Sequence, residues 1–100
     1  MANTFKNPVI LDDFTAAIDV GVSKFGLSEV PFYVDFIEWQ TPADITDNAI
    51  VTDGGGVQIF NEYPSVAKQS VFKPLGGKIF MGLKVALGAV GSGKILIHLG

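Results

Sequence analysis

The most chemically suggestive spacing in the sequence is Gly88-Ala89-Val90-Gly91-Ser92-Gly93-Lys94. It matches the first seven positions of a phosphate-binding loop, where glycine backbone N–H groups and a lysine cradle phosphate oxygens. The eighth position should bring a Ser or Thr hydroxyl to Mg²⁺, and here it is Ile95. Such a loop must also open into a helix whose N-terminus faces the phosphates. The residues after Lys94 read Ile95-Leu96-Ile97-His98-Leu99-Gly100 and alternate as a strand would. The context therefore predicts a loop between strands, with no nucleotide and no other cofactor.

The remaining candidates have equally plain alternatives. His98 is the single histidine. As a general base it would need an orienting group and a nucleophile, and none of Ser28, Ser65, Ser70 or Ser92 lies in a nucleophile elbow. It reads as a residue on a strand face. Asp44, Asp47 and Asp53 cluster in sequence and could offer oxygen ligands to Ca²⁺. They lack EF-hand spacing, and aspartate is a common turn former. Asp12-Asp13 reads the same way, so no metal site is expected. Paired carboxylates for glycoside hydrolysis need a cleft that a domain this small rarely holds. No catalytic residue is assigned, and the chain is read as a non-enzyme.

The aromatic residues are the better candidates for contact with something else. Tyr33, Trp39, Phe60 and Phe72, with Phe5 near the N-terminus, are the candidate interface or binding residues. The alternative is that they fill the core, because aromatics carry so much buried area.

Composition limits what these residues can belong to. One hundred residues make one domain. Hydrophobic residues are 48% and charged residues 17%, against about 25% charged in soluble domains. So little charge points to burial against copies of the chain or a partner. Seven lysines, no arginine and a net charge of −3 do not make the basic stripe of a nucleic-acid binder. There is no cysteine, which excludes disulfides, thiolate metal sites and cysteine nucleophiles. The start is polar, with no signal peptide expected, and no apolar run reaches the roughly 18 residues of a membrane helix. Folding in a cytoplasm is expected, with no membrane contact and no small-molecule ligand.

The elements expected to position these residues are strands. Residues 1–7 read as a loose arm, followed by a sandwich domain over 8–100. Pro8 to Leu11 starts the first strand. Phe14 to Phe25 is ambiguous: Phe14, Ala16, Ile18 and Val20 alternate, while Phe14, Ala17, Ile18 and Val22 suit a short helical face. Gly21 and Gly26 limit any helix, and a strand is the preferred reading. Val30 to Gln40 is the strongest strand, rich in β-branched and aromatic residues. Strict period two puts Phe32, Val34 and Phe36 on one face and Tyr33, Ile37 and Trp39 on the other. If Val34 and Trp39 both face the core, a β-bulge near Asp35-Phe36 must shift the register. Ala49 to Thr52 and Val57 to Glu62 form a hairpin around Asp53-Gly54-Gly55-Gly56. Gln69 to Lys73 is a short strand, and Pro74 to Gly77 a turn. Lys78 to Leu87 and Lys94 to Leu99 form a terminal hairpin around Gly88 to Gly93. About seven short strands, with turn signals every 8–12 residues, predict an all-β, antiparallel sandwich of jelly-roll or Greek-key type.

Three features of this layout carry a resemblance. They are a strand ending Ile37-Glu38-Trp39, the hairpin Ala49 to Phe60 with its Thr52-Asp53-Gly54-Gly55-Gly56 turn, and Gly82-Leu83-Lys84-Val85 ahead of Lys94 to Leu99. The pattern resembles the small β-sandwich virion proteins of tailed bacteriophages over roughly residues 30–100. The resemblance implies a structural role in the virion, as a capsid decoration or cement protein or a minor head or tail component. Its partners would be copies of itself and major capsid or tail proteins. The competing expectation is a small carbohydrate- or protein-binding sandwich that uses an exposed Trp39 or Tyr33.

Overall fold

A computed structural model describes residues 3–27, 30–43, 46–64, 66 and 68–99. Two antiparallel sheets pack face to face. The strands, in chain order, are β1 (Thr4–Phe5), β2 (Val9–Leu11), β3 (Ile18–Asp19), β4 (Pro31–Gln40), β5 (Ala49–Thr52), β6 (Gln58–Glu62), β7 (Val71–Met81), β8 (Lys84–Val85) and β9 (Lys94–Leu99). One helix, α1 (Val20–Phe25), follows β3. The first sheet has five strands in the order β1-β2-β9-β4-β7, and the second has four in the order β3-β8-β5-β6. The all-β sandwich read from strand spacing is the observed architecture, with nine strands among the described residues instead of about seven.

Alternation along the strands decides what lies between the sheets. Val9 and Leu11 of β2, Val34, Ile37 and Trp39 of β4, and Ile95 and Ile97 of β9 are fully buried from one side. Ala49 and Val51 of β5, Phe60 of β6, and Leu83 and Val85 around β8 meet them from the other. Among the described residues no polar or charged residue is buried in this layer. The core is held chiefly by apolar area and close packing.

The bulge required by the sequence is present. Val34 pairs with Leu99 and Phe36 pairs with the adjacent His98, so Asp35 is an extra residue on β4. Phe32 and Val34 point inward below it, Ile37 and Trp39 point inward above it, and Phe36 turns to the outer face. On the other side of β4 the irregularity is larger. Val34 pairs with Lys78 and Phe36 with Pro74, which leaves Leu75, Gly76 and Gly77 opposite Asp35.

Four expectations are corrected. Pro74-Leu75-Gly76-Gly77 is not a turn ending a short strand; it is a bulge inside the eleven-residue β7, which runs beside β4 from Trp39 to Pro31. The terminal hairpin does not form. Residues 71–81 join the five-stranded sheet, β8 crosses to pair with β3 and β5, and β9 returns to sit between β2 and β4. Alternation gave the buried side of Leu83, Val85, Ile95 and Ile97 but not of Leu87, which is 67% exposed, and it could not give any segment's partner. Residues 20–25 are helical. Asp19 accepts from the Val22 N–H as N-cap, and Gly26, at φ 77°, closes the C-terminus. The arm expected over residues 1–7 is, in its described part, tied into the sheet. Thr4 and Phe5 pair with Ile10 and Val9, and the Asn7 side chain donates to the Leu99 carbonyl and accepts from its N–H. The hairpin of β5 and β6 stands as read, with Asp53 accepting from the N–H groups of Gly55 and Val57 across the turn.

Candidate interface on the outer face of the five-stranded sheet

Because the core takes one side of every strand, the other side of the five-stranded sheet carries whatever alternates with it. On β4 these residues are Tyr33, Asp35, Phe36, Glu38 and Gln40. Register places Phe36 between His98 of β9 and Pro74 of β7. Glu38 lies between Leu96 and Phe72, and Tyr33 lies beside Ile79. Pro31 and Met81 end the face at one side, and Ile10 of β2 extends it beyond Leu96.

Phe36 sits at the centre of a ring stack. The His98 imidazole lies nearly parallel to its ring, with centroids 3.9 Å apart and planes 19° from coplanar. Phe72 leans on it from β7 at 4.6 Å. His98 Nε2 is shielded from solvent by this packing, has no hydrogen-bond partner, and stands 3.8 Å from Glu38 Oε1. Glu38 Oε2 accepts from the Gln40 side chain at 3.1 Å. Tyr33 is set by a different device. Its ring lies across Gly77, where an added Cβ would come within 2.7 Å of Cε1. A side chain at position 77 would therefore push the ring off the sheet.

The face is mostly apolar and open. Phe72 is 57% exposed, Ile79 57%, Tyr33 53% and Met81 51%. These four come from β4 and β7 and point away from a core that does not need them. An exposed residue of this kind is ordinary when alone and informative when its neighbours repeat it.

The structure divides the sequence-derived candidates. Tyr33 and Phe72 lie on this face. Trp39 and Phe60 do not: both are fully buried between the sheets. Trp39 is further fixed by its indole N–H, which donates to the Ser92 carbonyl at 2.7 Å. A sugar platform built on Trp39 is therefore excluded. Phe5 is half-buried against the edge of the core. Phe36, Ile79 and Met81 were missed as face residues. The bulge reverses the face of Phe36, and Ile79 and Met81 were assigned to a hairpin arm instead of to β7.

The chemically suggestive residues are occupied in structural work. The Gly88–Lys94 segment leads into β9, a strand, and so lacks the helix N-terminus a phosphate loop requires. Its Ser92 hydroxyl donates to Asp47 Oδ2 at 2.6 Å and accepts from the Ala43 N–H at 2.8 Å. Gly93 is at φ 74° with its Cα against the Gln40 carbonyl, so the glycine serves backbone approach. Asp13 accepts from the Thr15 hydroxyl and N–H, which holds its carboxyl below the usual carboxylate range. Among the described residues no group of three His, Asp or Glu side chains gathers as a metal site. Asp44, Ser28 and Ser65 lie outside the described residues. An open cleft of about 580 Å³ is lined by Asp12, Asp13, Phe14, Thr41 and the 90–94 segment. Its Asp13 and Ser92 are already committed to the bonds just described.

No protein-family model, curated protein or solved structure matches the chain.

Proposed function

We propose that the protein is a non-catalytic structural subunit that works by contact, through the outer face of its five-stranded sheet. The observation that carries this reading is the run of exposed apolar side chains on β4 and β7, arranged around the Phe36–His98–Phe72 stack. A domain with 17% charged residues has few polar groups with which to cover such a face. Covering Phe72, Ile79, Tyr33 and Met81 would stabilise an assembly by about 25 cal/mol for each Å² of apolar area removed from water.

The resemblance to the small β-sandwich virion proteins of tailed bacteriophages gives this reading its specific form. In that form the protein is a decoration, cement or minor head or tail component, located in the virion and partnered by itself and by capsid or tail proteins. Support comes from the sandwich fold, the lack of charge and the unshielded face. The test is fractionation of the native source by sedimentation, with the chain traced by mass spectrometry. The expected result is co-sedimentation with intact particles at a fixed copy number per particle. A chain found wholly as a free monomer and absent from particles contradicts the reading.

The competing reading as a carbohydrate-binding module has lost Trp39 and keeps Tyr33, which is exposed but flanked by Ile79 and Gly77. That apolar setting favours a protein surface over a hydroxyl-rich ligand.

A further inference from the structure

The outer face of the five-stranded sheet has a specific occupant: we infer that it packs against the same face of a second copy of this chain. The inference rests on the contact-based function proposed above and names the contact.

The area fits. Phe72 and Tyr33, each a little over half exposed, leave roughly 100 Å² apiece on the usual size of such rings. Ile79 and Met81 leave comparable amounts, and Pro74, Phe36 and Leu96 add the margins. The apolar total is on the order of 500 Å². A standard interface takes about 800 Å² from each partner, of which about 60% is apolar. The face thus matches one side of an ordinary dimer.

The charges permit self-contact. The chain as a whole is acidic at −3, so two copies meeting through a typical surface would repel. This face instead interleaves both signs. Asp35 and Glu38 stand on β4, and Lys94 stands opposite Gln40 on β9. Lys73 and Lys78 pair with the inward Ile37 and Val34 and so leave from the other side of β7, which makes Lys94 the positive group of the face. A two-fold pairing can set Lys94 of one copy against Asp35 or Glu38 of the other.

Geometry favours face over edge. β7 is an exposed sheet edge of eleven residues, long enough to add to another sheet. It is guarded by Pro74, by two lysines and by the Gly76-Gly77 bulge, the devices that block edge-to-edge pairing. The face has no such guard. Two copies of one sheet share the same twist, so their strands can align within about 30° and pack at about 10 Å, as sheets in sandwiches do.

The absence of native cysteine makes the test clean. Single substitutions Phe72→Cys and Ile79→Cys place a thiol on the face. Leu87→Cys and Tyr63→Cys place one at exposed positions next to the other sheet. Under mild oxidation the face variants should give disulfide-linked dimers at least ten times faster than the controls. Sedimentation velocity of the unmodified chain should show a monomer–dimer equilibrium, and Phe72→Glu should raise the midpoint concentration at least tenfold. Circular dichroism checks that each variant is folded, and Ile79→Lys serves if Phe72→Glu is not. A chain that stays monomeric at its highest soluble concentration overturns the inference. Cross-linking at Leu87 or Tyr63 in place of the face does the same. A monomer that nevertheless binds particles through this face rejects the second copy and leaves the contact-based function standing. A monomer that binds a polysaccharide and no particle removes both.

Discussion

Gly93 separates the two meanings of the glycine-rich segment most sharply. In a phosphate loop its replacement would damage ligand binding; here it should damage folding. Gly93→Ala places a methyl group against the Gln40 carbonyl, with Trp39 Nε1 at 3.1 Å and the Pro42 nitrogen at 3.2 Å. The backbone at φ 74° adds about 1–2 kcal/mol for an L side chain in the left-handed region. Alanine offsets about 0.4–1 kcal/mol of that by restricting the unfolded chain. Relief of the contact must move backbone, and the nearest bond at risk is the Trp39–Ser92 hydrogen bond, with a net contribution of about 1 kcal/mol. Strain from the displaced backbone adds about 1 kcal/mol more. The expected loss is about 2–4 kcal/mol. Gly88 supplies the internal control. It has nearly the same φ, 77°, but open space where a Cβ would go, so Gly88→Ala should cost about 1 kcal/mol or less. Urea denaturation followed by far-UV circular dichroism, with m-values compared, measures both. Equal midpoints for the two variants would refute the close approach of Gly93 to the Gln40 strand end and the role assigned to it.

Other consequences follow from the same geometry. Deleting Asp35 brings Val34 and Trp39 to the same parity, so a regular β4 without the bulge buries Phe32, Val34, Ile37 and Trp39 together. The deletion should therefore keep near-UV dichroism and cooperative unfolding, at a cost of no more than about 2 kcal/mol for refitting β4 to its neighbours. Loss of the cooperative transition would contradict the register. The Asp13 carboxyl is held low by the Thr15 hydroxyl first and its N–H second. Its pKa is depressed on folding, so its contribution is present above the ordinary value of 3.8 and fades as pH falls through the lower folded value. An NMR titration should place Asp13 below 3.8, and Thr15→Val should move it back up.

How much of this was legible in the sequence depended on the range of the contacts. The β5–β6 hairpin was readable because its turn and both strands are contiguous, and Asp53 closes it locally. The Asp35 bulge was readable because the apolar residues on its two sides have opposite parity, which a regular strand cannot bury. The terminal hairpin was misread for the opposite reason. Residues 78–87 and 94–99 alternate as strands should, but alternation says nothing about which sheet receives them, and β8 and β9 go to different sheets. Gly76-Gly77 looked like a turn because glycine pairs usually are turns; only the fold shows the chain continuing beside β4. The short helix was signalled by Asp19 and Gly26 at its ends, and the alternation of Ile18 and Val20 outweighed that signal. Tyr33 and Phe72 were found as candidate contacts from residue type alone, whereas Phe36 could be assigned to the outer face only by carrying the bulge through to its consequence.

The central claim is that the outer face of the five-stranded sheet is covered when the protein is at work. Hydroxyl-radical footprinting of the free chain and of its native assembly tests it residue by residue. Phe72, Tyr33 and Met81 should lose at least five-fold in labelling rate on assembly, while Val66 and Leu87, also exposed in the free chain, keep most of theirs. Unchanged labelling of Phe72, Tyr33 and Met81, or protection confined to Val66 and Leu87, would contradict the account.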